Sequence, residues 1–267
     1  MRNPVRPFGR TPGTSPNGLK RPAENTAPIR PTVALYEELK QELTPLSAEE
    51  GLRRLAERFP SGTVKFSSAF GEEDQVITHL IATNSLPITI FTLDTGRLFQ
   101  ETYELMDRTR ARYRINVETY FPDAGDVEQL VRTKGFNSFY ESVENRKECC
   151  FIRKVKPLRR ALQGATIWVT GLRAGQSANR QNFEAVEWDP ALQLVKYNPI
   201  LNWTYDEMQA FIKANKVPVN ALHAKGFASI GCAPCTRAIR PGEDIRAGRW
   251  WWEQTQKECG LHEAKPS

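Results

Sequence analysis

The sequence predicts an α/β domain: a mostly parallel β-sheet with helices on both faces. Three observations predict it. Between 64 and 214, short apolar runs rich in β-branched and aromatic residues alternate with longer stretches of helical character. That is the pattern of repeated β–α units, whose parallel strands are buried on both sides. Helix-start signals stand where the alternation needs them: Ser47 with Glu50, and Thr204 with Glu207, each a hydroxyl three residues before a carboxylate. Three of the β-rich runs end in polar, glycine-containing loops, at the strand ends where open α/β sheets bind ligands.

The elements follow in order. Two helices are expected over 32–43 and 47–59, the second opened by Ser47 and Glu50. VKFS at 64–67 is a β run, and a helix begins at about 73 behind the acidic GEED. ITIFT at 88–92 is too rich in β-branched residues for a helix. An amphipathic helix runs through Tyr113, a strand lies at 116–120, and a helix lies near 127–133. The basic stretch around Cys149-Cys150 reads as helical, and ATIWVTG at 165–171 as a buried strand. A strand near 194–197 and a helix over 205–214, capped by Thr204 and Glu207, close the series.

At 267 residues the chain has room for one such domain with a substantial core and an irregular extension. Its 40% hydrophobic and 25% charged residues suit a soluble globular protein. No apolar run reaches membrane-spanning length, and the N-terminus lacks a signal-peptide core, so a cytoplasmic protein with no membrane partner is expected. The net charge of +6 is misleading as a sign of nucleic-acid binding. Residues 1–31 hold Arg2, Arg6, Arg10, Lys20, Arg21 and Arg30 against Glu24 alone, which leaves the remainder near neutral. No nucleic-acid partner is expected. This Pro- and Gly-rich tail reads as disordered, and its prolines oppose the amphipathic helix of a transit peptide. The domain is expected over 32–250, followed by a mobile C-terminal segment, 251–267.

The five cysteines stand as Cys149-Cys150, Cys232-x-x-Cys235 and Cys259 alone. An odd count without an export signal argues against a disulfide framework, and adjacent cysteines make strained bridges. Two pairs of thiols suggest a metal site. Spacing alone suits tetrahedral zinc as well as an iron–sulfur cluster, and zinc sites are the commoner. Cys259 lies in a polar terminal segment beside Gly260, with His262 three residues on. Such a thiol can move between an enclosed site and an external reductant, so Cys259 is the candidate catalytic residue.

The three strand-end loops supply candidate nucleotide contacts. They are Ser67, Ser68, Phe70, Gly71 and Asp74 in the first loop, Leu93 and Asp94 in the second, and Gly171 and Arg173 in the third. The first loop enters a helix, whose exposed amides can hold an anion. Arg146 and Lys147 lie within a helical turn of Cys149 and Cys150. Arg246 and Arg249 share a face if 243–252 is helical, and could clamp a phosphate or sulfate.

Taken together, SSAFGEED, LDTGRLF, GLRAGQS, the Cys-Cys … Cys-x-x-Cys set and the terminal ECGLH resemble the assimilatory adenylylsulfate/phosphoadenylylsulfate reductase family. SSAFGEED resembles its modified PP-loop, and ECGLH its catalytic motif. The match runs from about 64 to 262. The resemblance implies a Rossmann-like fold of the adenine-nucleotide α-hydrolase (PP-loop) type, and reduction of adenylylsulfate to sulfite and AMP within sulfate assimilation and cysteine biosynthesis. It implies a 4Fe-4S cluster on Cys149, Cys150, Cys232 and Cys235, which reverses the preference for zinc. It implies thioredoxin as a separate electron donor, because the chain carries no redoxin-like extension. Cys259 would attack the sulfuryl group, expel AMP and hold an S-sulfonate until a second thiol releases sulfite. Homo-oligomer formation is left open.

Three rivals stand beside this reading. A reductase of the 3′-phosphorylated substrate has the same fold, although the cysteine set favours the unphosphorylated one. An RNA-thiolating enzyme that uses ATP needs glycines where Ser68-Ala69-Phe70 stands. A zinc-stabilised binding module would have no catalysis.

Overall fold

The computed structural model describes residues 31–176 and 182–253. The expected tail therefore lies outside the described residues but for Pro31, as do Ser177, most of the C-terminal segment, Cys259 and His262.

Helices α1 (Val33–Leu43) and α2 (Ala48–Arg58) lead into β1 (Val64–Ser67), α3 (Glu72–Thr83), β2 (Thr89–Leu93), α4 (Gln100–Tyr113), β3 (Glu118–Tyr120) and α5 (Ala124–Lys134). After these come α6 (Val143–Cys150), α7 (Lys156–Ala161), β4 (Ile167–Val169), β5 (Val186–Asp189), β6 (Leu194–Tyr197) and α8 (Tyr205–Asn215). The capping boxes at Ser47 and Thr204 form as the sequence predicts, each carboxylate reaching back to the N-cap amide.

The six strands order as β3-β2-β1-β4-β6-β5. All neighbouring pairs are parallel except β5 with β6. Alternate residues of each strand serve opposite faces. Phe66, Ile90, Ile167, Val169 and Val195 join the larger core with α1, α2, α3 and α8. Phe91, Trp168 and Leu194 point the other way, onto Leu158 and Ala161 of α7. Helices thus cover both faces.

Three features differ from expectation. Strand β5 carries little apolar signal in EAVEWDP; it is stabilised as a hairpin partner of β6, where the Asp189 carboxylate accepts from the amides of Ala191 and Leu192. The basic helix is not uniform: between α6 and α7 the chain makes a wide π-type turn, Phe151–Val155. Pro157, just beyond it, cannot donate a helical hydrogen bond and would crowd Arg153's carbonyl in a regular helix, so the wide turn relieves it. Residues 243–252 form turns rather than a helix. Gly242 takes φ +86°, and the chain returns against 235–237, with the Arg237 amide donating to Gly248 O (2.9 Å) and the Trp250 amide to Cys235 O (3.2 Å).

Candidate active site

The strand order reverses between β1 and β4, which is where open α/β sheets leave a crevice at their carboxyl ends. A cavity of about 260 Å³ opens there.

Its floor is the β1–α3 loop. Ser67 Oγ accepts from the indole N–H of Trp168 (2.8 Å), and the Ser68 amide donates to Phe91 O (2.8 Å). Ser67, Ser68, Gly71 and Asp74 line the cavity. Phe70 does not. At φ +60° it turns the chain sharply and buries its ring in the core, 2% exposed. The amides of Ala69 and Gly71 are not open to an anion: both donate to the Asp74 carboxylate, at 2.7 and 3.4 Å. Two amides of the expected anion-binding loop are therefore taken by its own aspartate.

The β2 loop is the wall behind. Leu93 lines the cavity, but Asp94 is buried beneath it and accepts from the Gly96 amide (2.8 Å) and the Tyr103 hydroxyl (2.9 Å). Burial, reinforced by Asp94, pushes the Tyr103 hydroxyl up to about 12, so it remains a donor. The next residue, Thr95, also lines the cavity and reaches toward the cysteines: its hydroxyl is 3.2 Å from Cys232 Sγ, and its carbonyl accepts from Arg153 (2.6 Å).

From the β4 loop come Gly171 and Arg173. Arg173 is 3% exposed and pairs with Glu73 at 3.2 Å, so two oppositely charged side chains share one wall. Arg246 and Arg249 also line the cavity. Arg249 is buried, with its Nη1 3.4 Å from Ser229 Oγ and Ile230 O, and its Nε has no hydrogen-bond partner. The two arginines converge through the returning turn, not along a helix.

Cys149, Cys150, Cys232 and Cys235 line a smaller adjoining cavity with Arg97, Arg146, Arg153 and Lys154. All four are free thiols. Burial raises the Cys149 thiol against the opposing pull of Arg153. Cys235 is pushed up to about 12, chiefly by burial and also by Cys232, against Lys154 and Arg249. Among the described residues, no group of three or more His, Cys, Asp or Glu is arranged to hold a metal ion.

Two residues join the cavities. Cys232 and Lys154 line both. The sequence reading missed Lys154, although it stands four residues after Cys150, one turn along the same helical run. Lys147 is exposed and lines neither cavity, and Arg146 is directed to the cysteine side, where Glu253 binds it.

Residues 63–238 match the model of the phosphoadenosine phosphosulfate reductase domain. An adenosine 5′-phosphosulfate reductase of Burkholderia cepacia is 54% identical over 200 residues, covering 74% of this chain and 80% of that protein. One from Rhizobium meliloti (strain 1021) is 52% identical over 202 residues, covering 75% and 76%. Among solved structures, a phosphoadenylyl-sulfate (PAPS) reductase from Candida auris in a phosphate complex aligns with TM-score 0.66 at 28% identity, over 80% of this chain and all of that one. Yeast FAD synthetase in complex with FAD shares the fold alone, at TM-score 0.50 and 16% identity, over 77% of this chain and 68% of that one. With two thirds of its length inside the domain match and more than half of the aligned residues identical to these reductases, the chain belongs to the phosphoadenosine phosphosulfate reductase domain family.

Proposed function

We propose that this protein reduces adenylylsulfate to sulfite and AMP in sulfate assimilation, with Cys259 as nucleophile and thioredoxin as electron donor in the cytoplasm. One observation carries the reading: the nucleotide-sized cavity adjoins a pocket of four free cysteines, with Lys154 and Cys232 lining both. The names of the relatives support the substrate.

The chemistry follows from the residues present. Lys154, Arg246 and Arg249 can neutralise the phosphosulfate and the charge that passes to AMP as it leaves. The Cys259 thiolate attacks sulfur, the sulfur–oxygen bond to phosphate breaks, and AMP departs with that electron pair. A thioredoxin thiolate then attacks Cys259 Sγ and expels sulfite; its second thiol breaks the mixed disulfide, returning Cys259 and oxidised thioredoxin. The β1–α3 loop supports adenylylsulfate over ATP, because Asp74 already holds two of its amides, leaving fewer for a pyrophosphate.

The four cysteines are assigned to a 4Fe-4S cluster on the chemistry of the donor set, although the described residues hold no preformed metal-ion group. They are unbridged, they surround one cavity ringed by cations, and Arg153 Nε is buried there without a hydrogen-bond partner. When bound, the cluster would supply a compact anionic centre that orients those cations.

The test is a single-turnover experiment. Enzyme mixed with adenylylsulfate in the absence of thiol should release about one AMP per site and gain one sulfonate on the peptide containing Cys259. An adduct on another cysteine, or repeated AMP release without thiol, would overturn the mechanism. Zinc in place of iron would reassign the metal site.

A further inference from the structure

Among the described residues, the most deeply buried ion pair has no part in the mechanism above. Arg146, on α6, donates from Nε and Nη2 to the two carboxylate oxygens of Glu253, at 2.9 Å each. Both side chains are 3% exposed, and 107 residues separate them in sequence.

Each partner is rooted beside a different part of the site. Arg146 is one helical turn before Cys149 and Cys150 and lines their cavity. Glu253 ends a turn whose Trp250 amide donates to Cys235 O and whose Arg249 lines the nucleotide cavity. Trp250 lies between the two arginines, with each guanidinium 4.7 Å from its ring. Trp250 also holds φ +42°, a conformation that a bulky residue keeps only when its surroundings impose it. The turn is thus gripped on three sides, by Arg146, by Cys235 and by the Arg249–Thr236 bridge.

We propose that Glu253 is a positioning residue: its pair with Arg146 fixes the root of the segment that carries Cys259, beside both cavities. This rests on the proposed role of Cys259. Cys259 lies six positions after Glu253 in sequence, a reach of about 20 Å when extended. A tether that short makes the placement of its root matter: a loose root spreads the thiol over positions from which it cannot attack. An ion pair suits this task better than apolar contact, because a fork-to-fork pair fixes direction as well as distance.

The experiment compares wild type with Glu253→Gln and Arg146→Lys, which retain hydrogen bonding but remove the bidentate charge pair. Three quantities are read: the rate of the thiol-free AMP burst at saturating adenylylsulfate, the dissociation constant of AMP, and iron content. The burst should slow at least tenfold, with AMP affinity and iron unchanged. A pair that only supports the fold would slow the burst, weaken AMP binding and lower iron content together, and that result would overturn the proposal. An unchanged burst rate would overturn it as well. Should the single variants fail to fold, Arg146→Met with Glu253→Met replaces the pair by apolar packing. It should hold iron and AMP yet burst slowly; a wild-type rate would again refute the positioning role. If wild-type enzyme gives no burst, the reading of Cys259 fails first, and the variants then reveal nothing that could rescue this one.

Discussion

The Oδ1 atom of Asp74 stands 2.0 Å from the point that a Cβ on Gly171 would occupy, with Asp74 Cγ at 3.1 Å and its backbone nitrogen at 3.3 Å. The β4 loop therefore passes directly over the carboxylate that takes two amides of the β1–α3 loop, and only glycine allows it. Gly171→Ala should push the start of α3 away from β4. The expected cost is about 1–3 kcal/mol of stability, as for other overpacked sites, together with weaker AMP binding. Denaturant titration and calorimetry check both; if neither changes, the contact is softer than its distances indicate.

Glu73 and Arg173 face the same cavity as a pair. A nucleotide with an additional 3′-phosphate would find this arginine already neutralised and a carboxylate nearby. Glu73→Gln should free Arg173 and raise the affinity for adenosine 3′,5′-bisphosphate relative to AMP by about tenfold, roughly 1.4 kcal/mol. Competition binding of the two nucleotides measures the ratio. An unchanged ratio would place the discrimination elsewhere.

Lys154, not Lys147, is the lysine beside both cavities. Lys147 stands nearer the cysteine pair in sequence, but Lys154 lines both cavities. Lys154→Ala should cut turnover by roughly ten- to a hundredfold, the value of one charge-assisted hydrogen bond, while iron stays bound. Lys147→Ala should change turnover less than twofold. Steady-state assays with iron determination separate them, and the reverse ranking would refute the geometric argument.

The proposed function divides the cysteines four to one. Cys232→Ser should lose iron and visible absorbance, since Cys232 lines both cavities and sits beside the Thr95 hydroxyl. Cys259→Ser should keep iron and absorbance but abolish turnover. Equal iron loss in the two variants would show that the roles are assigned wrongly.

What the sequence by itself determined about this protein is whatever depends on a few adjacent residues. Alternating apolar runs place β1, β2, β4 and β6, because each strand buries both faces and its side chains alternate between them. Hydroxyl–carboxylate pairs mark the starts of α2 and α8, because a cap closes within three residues. The same local rules mark the loops that end β1, β2 and β4, and the spacing of the cysteines shows the pairs that line one cavity. Only the tertiary structure decided the rest. Phe70 reads as a loop contact but enters the core, because the sharp turn after β1 sends its ring inward. Strand β5 pairs because β6 offers an edge, not because EAVEWDP is a strong strand. Arg146 reads as a cation for substrate, yet a carboxylate 107 residues away claims it. Arg246 and Arg249 converge through a returning turn anchored on Cys235 and Arg237, and Lys154 takes the place that Lys147 had by proximity in sequence. Hydrogen bonds within a turn or strand are set by neighbours along the chain; which partner captures a buried charge is set by neighbours in space, and those exist only once the sheet has formed.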